Sequence, residues 1–335
     1  MGKIIIVTGA SGFIAQQLIA DLLNLNYYII GIDIKQINPI FIGNHKYKHL
    51  AINLTNSLKI NPYEYFSVPT DVVCVCHLAA KIRVDESMKD PVCYYDNNII
   101  ATINLLKWCL KINIKNIIFA STAAVYSGDC LEIGFSEKEI GPTVSSVPSV
   151  PSVYGRTKLM CEQILQDAAL QGFRGYIFRF FNVCGGHEPE LIHLLPIIVN
   201  NLKNNKDINI YGTDYQTRDG TCLRDYIHLK DISQGFISAI NNGFDFDNFK
   251  IYNLGSGSGY TVKEILNKTI EIYTKLKGSV GSVGSVGTRI IECPRRSGDS
   301  DVLLANSNLV KSELNWMPRC DLTTMITDTI NSYPS

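Results

Sequence analysis

The sequence has no excess charge of either sign, since 31 Lys and Arg residues balance 31 Asp and Glu residues. Such a chain has no overall field that would draw it to nucleic acid or to an anionic membrane, and we expect neither as a partner. Long apolar runs are also missing. The opening run Lys3 to Val7 is too short to cross a bilayer and has no signal-peptide cleavage site, so it predicts a buried strand.

Paired cysteine motifs are absent as well. Ten cysteines are scattered along the chain without a C-x-x-C pair, and Cys74 and Cys76 fall inside the apolar run Asp71 to Leu78. Cysteines in such a run are typical of small core residues. We therefore expect no structural disulfide, no metal site and a reducing, cytoplasmic location.

The first half of the chain alternates short β-branched runs with longer helical patterns. Continuous apolar strands separated by helices indicate a parallel sheet that is covered on both faces. The pattern predicts an α/β fold with a doubly wound parallel sheet of the Rossmann type. The predicted strands are 4–8, 27–32, 72–77 and 117–121, and the helix between the first two is 13–25.

The second half is more irregular and predicts a smaller C-terminal α+β substrate domain. We place the boundary between residues 1–178 and 179–335, with some later segments returning to the first unit. Two helices, 94–111 and 154–171, carry apolar side chains on more than one face. Sheet packing alone would explain this, but a helix pair shared with a second subunit would too, and we expect a homodimer. Further helices are predicted at 194–203, 231–241 and 261–275.

Two stretches of simple sequence interrupt these patterns, Ser145 to Val153 and Gly278 to Gly287. Small residues punctuated by Pro or Gly bury too little side chain to offset the entropy of ordering. We expect exposed loops without a chemical role.

A Gly-rich turn, Gly9 to Ala15, follows the first predicted strand and opens a predicted helix. Glycines there permit a tight turn and let backbone N–H groups at the helix N-terminus approach a pyrophosphate. Asp33 ends the next strand, where its carboxylate can accept hydrogen bonds from ribose hydroxyls and would repel a 2′-phosphate. An ordinary strand-to-helix loop is the alternative, but the combination predicts NAD as the cofactor.

A phenol and an ammonium group are placed four residues apart by Tyr154 and Lys158, on one face of a predicted helix. A nearby Lys⁺ and a cationic nicotinamide favour the phenolate, so we expect the pKa of Tyr154 to fall toward neutral pH. Thr122 ends another predicted strand, at the edge where doubly wound folds bind ligands. Tyr-x-x-x-Lys arises by chance on many helices; beside the Gly-rich turn it indicates a catalytic site.

These segments resemble the extended short-chain dehydrogenase/reductases, and within them the UDP-glucose 4-epimerases, over nearly the whole chain. The N-terminal motifs mostly indicate the superfamily, whereas the run Asp219 to His228 is similar to the 4-epimerases in particular. The motifs that carry the resemblance are 8–14, 77–80, 94–98, 121–126, Tyr154-x-x-x-Lys158, 179–183, 211–215, 219–228, 252–255 and 294–299.

The resemblance implies residue roles. The implied catalytic residues are Thr122, Tyr154 and Lys158. The implied NAD contacts are Gly9, Gly12, Phe13, Ile14, Asp33, Asn53, Leu54, Leu78, Ala79, Ala80, Asn97, Ser121, Tyr154, Lys158 and Phe181. The implied nucleotide-sugar contacts are Thr122, Asn182, His193, Leu194, Tyr211, Arg224, Arg296, Asp299 and Leu303. Arg224 and Arg296 fit a diphosphate and Tyr211 a uracil face, although the two arginines could instead be ion-pair partners of Asp225 and Asp299.

The implied activity is interconversion of UDP-glucose and UDP-galactose through transient oxidation at C4. Sister dehydratases carry an acidic pair after the Ser-Thr of 121–122, and UDP-glucuronate decarboxylases a Glu, whereas this chain has Ala123 and Ala124. Those two activities are disfavoured alternatives. A UDP-N-acetylglucosamine 4-epimerase is another, because Leu303 has an intermediate size at the position beside C2 of the sugar. A non-catalytic NAD-sensing protein would have lost Tyr154 and Lys158.

Overall fold

The computed structural model describes residues 2–67, 70–128, 134–139, 150–277, 288–296 and 299–333. Most of the first simple-sequence stretch, 145–149, and all of the second, 278–287, lie outside the described residues. The strands are β1 (Gly2–Thr8), β2 (Tyr28–Asp33), β3 (Tyr47–Ala51), β4 (Thr70–His77), β5 (Asn116–Thr122), β6 (Arg174–Phe180), β7 (Asn182–Cys184), β8 (Ile208–Tyr211), β9 (Leu223–His228), β10 (Phe249–Leu254), β11 (Gly259–Thr261), β12 (Ile290–Cys293) and β13 (Val302–Leu303).

The α-helices of the described residues are α1 (Phe13–Asn24), α2 (Val84–Lys89), α3 (Pro91–Tyr95), α4 (Ala101–Lys111), α5 (Val153–Ala168), α6 (Leu194–Lys203), α7 (Leu229–Asn242), α8 (Val262–Lys277), α9 (Asn308–Leu314) and α10 (Leu322–Ser332). The predicted helix 94–111 is formed by the end of α3, a π-helical turn at Asp96–Ile100 and α4. The predicted helix 154–171 is α5 with a closing 3₁₀ turn.

A seven-stranded parallel sheet forms the centre of the fold, in the order β10-β6-β5-β4-β1-β2-β3. The order reverses between β1 and β4, and the carboxyl ends of these strands are where open α/β sheets bind ligands. Side chains of α1 and α7 pack on one face of the sheet, and those of α4 and α5 pack on the other. The predicted doubly wound sheet is confirmed.

A smaller unit follows in the second half of the chain. Strands β7, β9, β11 and β13 form a second sheet, β8 pairs with β12, and α6, α8 and α10 enclose a separate apolar core. The chain also returns to the first unit, because β10 pairs with β6 along its whole length and α7 packs against α1. The boundary at residues 178 and 179 stays a prediction.

Within the described residues, none of the helices combines the length and the apolar character that a bilayer crossing requires.

Candidate active site

The Gly-rich turn is held close to the chain segment that follows β4. Gly9 has a φ of +70°, and its N–H donates to the carbonyl oxygen of Ile32 at 2.8 Å. A Cβ atom at Gly9 would lie 2.7 Å from the backbone nitrogen of Ala79, closer than any side chain tolerates. Both the left-handed backbone and this contact require glycine. The turn therefore fixes the relative position of the carboxyl ends of β1 and β4, where a ligand can bind.

The N-terminus of α1 is free to receive an anion. Its N-cap is Gly12, which has no side chain to cap the helix, and the first turn carries no acidic residue. Partial positive charge at such an end attracts phosphate. Ala15 stands where a third glycine is usual and is buried in the core, so its methyl group is accommodated by packing. Phe13 and Ile14 are partly exposed beside it.

Asp33 links the end of β2 to this turn. Its two carboxylate oxygens accept hydrogen bonds from the N–H groups of Ser11, at 2.9 Å, and Lys35, at 2.8 Å. The carboxylate thus has a fixed position and still has lone pairs for ribose hydroxyls. Asn53 is exposed just beyond β3, whereas the side chain of Leu54 is buried in the core. Both residues stay predicted cofactor contacts.

The segment after β4 is positioned by a buried asparagine, Asn98, which was not predicted as a site residue. Asn98 accepts from the N–H of Lys81 at 2.9 Å and donates to its carbonyl oxygen at 3.1 Å. This fixes the end of the segment that contains Leu78, Ala79 and Ala80. The amide of Asn97, the predicted contact, donates to the carbonyl oxygen of Cys93 at 2.9 Å.

Helix α5 begins against the end of β5. The hydroxyl of Ser152 caps the helix by accepting from the N–H of Gly155 at 3.0 Å. A Cβ atom at Gly155 would lie 2.1 Å from the carbonyl oxygen of Ala124, so only glycine permits this approach. Close contact at Gly155 brings the neighbouring Tyr154 beside Thr122.

The phenol of Tyr154 is buried, and its partner is the hydroxyl of Thr122. Burial raises the pKa of Tyr154 to about 12, and the hydrogen bond with Thr122 opposes this rise. Removal from water disfavours the phenolate, and this is the cause of the rise. The expected fall depends on a cationic nicotinamide beside the phenol and stays a prediction.

Lys158 lies one helical turn beyond Tyr154 and turns toward β5. Its Nζ donates to the carbonyl oxygen of Ala120 at 2.8 Å and lies 4.6 Å from the ring centre of Phe119. The residue is 3% exposed. Burial lowers its pKa to about 8, while Cys161 and Glu162 act in the opposite direction. The ammonium form still prevails at neutral pH.

A buried polar chain behind these groups was not predicted from the sequence. The hydroxyl of Ser121 donates to the carboxylate of Glu162. Arg179 donates to the same carboxylate from Nη2 at 2.6 Å and from Nε at 3.0 Å. Both charged residues are buried. Phe181 is also buried, and its N–H donates to the carbonyl oxygen of Leu254 at 3.2 Å.

Three predicted substrate contacts share the second sheet. Asn182 on β7 is in register with Tyr226 on β9, and Leu303 on β13 is in register with Arg224. Arg224 donates from Nη1 to the carbonyl oxygens of Leu223 and Ser300, both at 2.9 Å. The three residues thus lie on β7, β9 and β13, strands of the same sheet.

Arg224 and Arg296, the two predicted diphosphate contacts that could instead form ion pairs, have different neighbours in the structure. Nη2 of Arg224 lies 3.6 Å from Asp299, so this arginine has an acidic partner, but the partner is not Asp225. The guanidinium of Arg296 lies over the ring of Tyr211, with its central carbon 4.0 Å from the ring centre. That stack occupies one face of the Tyr211 ring.

His193 and Leu194 mark the start of α6. Both the N–H and the ring Nδ1 of His193 contact the carboxylate of Glu188, which also accepts from the N–H of Ile192 at 2.8 Å. Burial acts to raise the pKa of Glu188, but these hydrogen bonds outweigh it and the pKa is lowered. The imidazole is thereby held at the helix N-terminus in one orientation.

Comparison with known proteins decides the family. A model of the NAD dependent epimerase/dehydratase family matches residues 5–255. The chain belongs to this family. Membership confirms NAD as the predicted cofactor, and the matched region contains both the Gly-rich turn and the Tyr154–Lys158 pair.

Members with a stated activity are similar over most of their length. A UDP-glucose 4-epimerase of Rhizobium meliloti (strain 1021) is 38% identical over 260 residues, which are 74% of this chain and 73% of that protein. The crystal structure of UDP-glucose 4-epimerase from Bifidobacterium longum with NAD⁺ and UDP has a TM-score of 0.79 at 29% identity, covering 98% and 97% of the two chains. The UDP-Glc/GlcNAc 4-epimerase of Campylobacter jejuni has a TM-score of 0.76 at 27% identity, covering 99% of both.

Proposed function

We propose that this chain interconverts UDP-glucose and UDP-galactose by inverting C4 of the hexose with bound NAD. The observation that carries the proposal is the buried contact between the phenol of Tyr154 and Thr122, with Lys158 one turn further along α5. This arrangement stands at the carboxyl end of β5, which is separated by β4 alone from β1, the strand that leads into the Gly-rich turn. The family match and the similar 4-epimerases point to the same reaction.

The residues present fit NAD. The uncapped N-terminus of α1 suits the pyrophosphate, and the fixed carboxylate of Asp33 suits the adenosine ribose. Lys158 has three N–H donors, and its bond to Ala120 leaves donors for the nicotinamide ribose. When bound, NAD supplies the acceptor and then the donor of the hydride at C4.

The protein's own part in the reaction is to hold and move a proton at the sugar 4-hydroxyl. Tyr154 takes that proton as its phenolate and later returns it, and Thr122 positions the two oxygens by hydrogen bonding. Because the pKa of Tyr154 is about 12 without cofactor, the positive charge of oxidised NAD is what we expect to favour the phenolate. The 4-keto sugar turns between the two steps while its nucleotide stays bound.

The nucleotide diphosphate is the part of the substrate that we expect to hold it in place while the sugar turns. Arg224 and Arg296 present guanidinium groups that can pair with phosphate oxygens. Asn182, Leu194, Asp299 and Leu303 complete the proposed nucleotide-sugar contacts.

The deciding experiment is an assay of the purified protein with UDP-galactose. We expect UDP-glucose to form without net consumption of NAD, detected by separation of the two sugar nucleotides. Accumulation of a 4-keto-6-deoxy sugar, or no UDP-glucose at all, would contradict the epimerase assignment.

A second substrate is favoured by one specific observation. Leu303 is half-buried beside Arg224, and its side chain is smaller than an aromatic residue would be at the position that the resemblance to the 4-epimerases implies for room beside C2 of the sugar. UDP-N-acetylgalactosamine should then compete with UDP-galactose. Replacing Leu303 by Tyr should remove that competition and leave the activity on UDP-galactose.

A homodimer in the cytoplasm is part of the same proposal. Ile100, Leu110 and Met160 are partly exposed around α4 and α5, the helices that the sequence suggests for a subunit interface. The cysteines of the described residues are free thiols, as in proteins of reducing compartments. Light scattering after gel filtration should give twice the chain mass, and Met160→Lys should halve it.

A further inference from the structure

One face of α5 contacts three consecutive residues at the end of β5. Tyr154, Lys158 and Glu162 follow one another at a spacing of four, which places them on the same side of a helix. Tyr154 meets Thr122, Lys158 donates to the carbonyl of Ala120, and Glu162 accepts from the hydroxyl of Ser121. Glu162 is thus a third polar residue on the face of α5 that carries Tyr154 and Lys158.

Glu162 is held rigidly. It is 1% exposed, and Arg179 binds both of its carboxylate oxygens. Arg179 is itself fixed, since its Nη1 donates to the hydroxyl of Tyr126 at 3.1 Å and to the carbonyl oxygen of Glu137 at 2.9 Å. A bidentate arginine–carboxylate pair of this kind has one defined geometry. The fixed carboxylate of Glu162 therefore also fixes the hydroxyl of Ser121, which donates to it.

Glu162 also brings a negative charge to within one helical turn of Lys158. The titratable groups coupled to that ammonium are Cys161 and Glu162 on α5 and His77 on β4, and Arg179 on β6 pairs with Glu162. Burial lowers the pKa of Lys158, and Cys161 and Glu162 oppose this effect. His77 stays neutral, because burial and Lys158 lower its pKa to about 3. Burial raises the pKa of the Cys161 thiol, so it is also neutral, and Glu162 supplies the compensating charge.

We propose that Glu162 is a positioning residue of the active site, which fixes the end of β5 through Ser121 and supplies the negative charge that compensates Lys158. The inference rests on the proposed function, because it gives Lys158 the task of holding the nicotinamide ribose. It extends the Tyr154–Lys158 pair to a set of three residues with a common spacing.

The test is the pH dependence of NAD binding and of turnover in Glu162→Gln. The amide keeps the size of the side chain but removes its charge, so Lys158 should lose its proton at lower pH. We expect the upper pH limit of NAD affinity, measured by titration calorimetry, to move down by about 1 pH unit. The upper limit of kcat for UDP-galactose should move with it, and kcat should fall more than KM changes.

The matched control is Glu264→Gln. Glu264 also pairs with an arginine, Arg218, but lies partly exposed on α8, away from α5. This variant should keep the wild-type pH limits. Equal upper pH limits of NAD affinity in Glu162→Gln and the wild type would overturn the inference. A wild type without epimerase activity would overturn the proposed function instead, and the inference would then be tested by the calorimetric comparison alone.

A second variant guards against misfolding, because Glu162→Gln leaves the buried Arg179 unpaired. In Glu162→Gln with Arg179→Met, both buried charges are gone. The upper pH limit of NAD binding should again lie below that of the wild type, and an unchanged limit would contradict the inference. Glu162→Asp keeps the charge and should restore the wild-type limit.

Discussion

Lys158 gives a hydrogen bond from Nζ to the carbonyl oxygen of Ala120, 2.8 Å away, from a position that is almost closed to solvent. A backbone carbonyl is a weak substitute for the water that an ammonium group loses on burial. The cost is visible in the pKa of about 8, against an ordinary value of 10.5. The buried charge of Lys158 therefore destabilises the folded protein, and it lies where we place the nicotinamide ribose.

Lys158→Met should therefore stabilise the nucleotide-free protein while abolishing turnover. A pKa of about 8 instead of 10.5 corresponds to roughly 3 kcal/mol against the charged form, so we expect a gain of about 1–3 kcal/mol at pH 7. In the wild type this cost is fully present below pH 8. It is relieved as the pH rises from 8 to 10.5, because the folded state releases its proton first. Urea unfolding at pH 7 and pH 9.5 checks this, with the difference smaller at pH 9.5.

A variant less stable than the wild type at pH 7 would mean that the bond to Ala120 outweighs the cost of burial. Lys107→Met, on the exposed side of α4, is the control and should change the unfolding free energy little at either pH.

Tyr154→Phe should lower kcat for UDP-galactose by at least about 100-fold, because it removes the proposed general base. The amount of bound NAD should stay at the wild-type level, since the ring still fills its buried place. Product separation and the absorbance of released NAD measure the two quantities. Tyr63→Phe, at an exposed tyrosine, should alter neither, and full activity in Tyr154→Phe would exclude this phenol as the base.

Gly9→Ala should destabilise the protein and weaken NAD retention. A methyl group there combines a φ of +70° with a contact of 2.7 Å to the backbone of Ala79, and we expect a loss of about 2–4 kcal/mol. The informative comparison is Gly172→Ala, at a φ of +83° with no atom within 4 Å of the added methyl. That variant should lose about 1 kcal/mol and keep its NAD. Equal losses in the two would show that the backbone conformation alone, and not the contact with Ala79, makes glycine necessary.

Arg296→Lys should weaken binding of UDP about tenfold, which corresponds to about 1.4 kcal/mol. Lysine keeps the charge but loses the planar group that lies on Tyr211 and can grip two phosphate oxygens. Titration calorimetry with UDP measures the effect. Arg289→Lys, at an exposed arginine paired with Asp207, should bind UDP as the wild type does. If Arg296→Lys also matched the wild type, Arg296 would be a structural residue.

Much of the large sheet could be predicted because its signals are local. Strands β1, β2, β4 and β5 contain apolar runs of four or more residues, and the helices between them show helical spacing of apolar side chains. Asn98 and Glu162 could not be recognised in this way, because each makes its decisive contact with a residue far along the chain, Lys81 and Ser121 respectively. The sequence predicted that some later segments return to the first unit, but not that β10 does so at the edge of the large sheet, since an apolar run does not specify which strand it pairs with.

The sequence by itself determined the doubly wound fold, the Gly-rich turn and the spacing of Tyr154 and Lys158, because each depends on backbone preferences and on the period of a helix or strand. The tertiary structure alone decided the charge states. Burial raises the pKa of Tyr154 and lowers that of Lys158, and depth below the surface is a property of the packed chain. It also decided that Arg296 lies on Tyr211 and that Arg224 faces Asp299, since such pairs join residues whose separation in sequence says nothing about their distance in space.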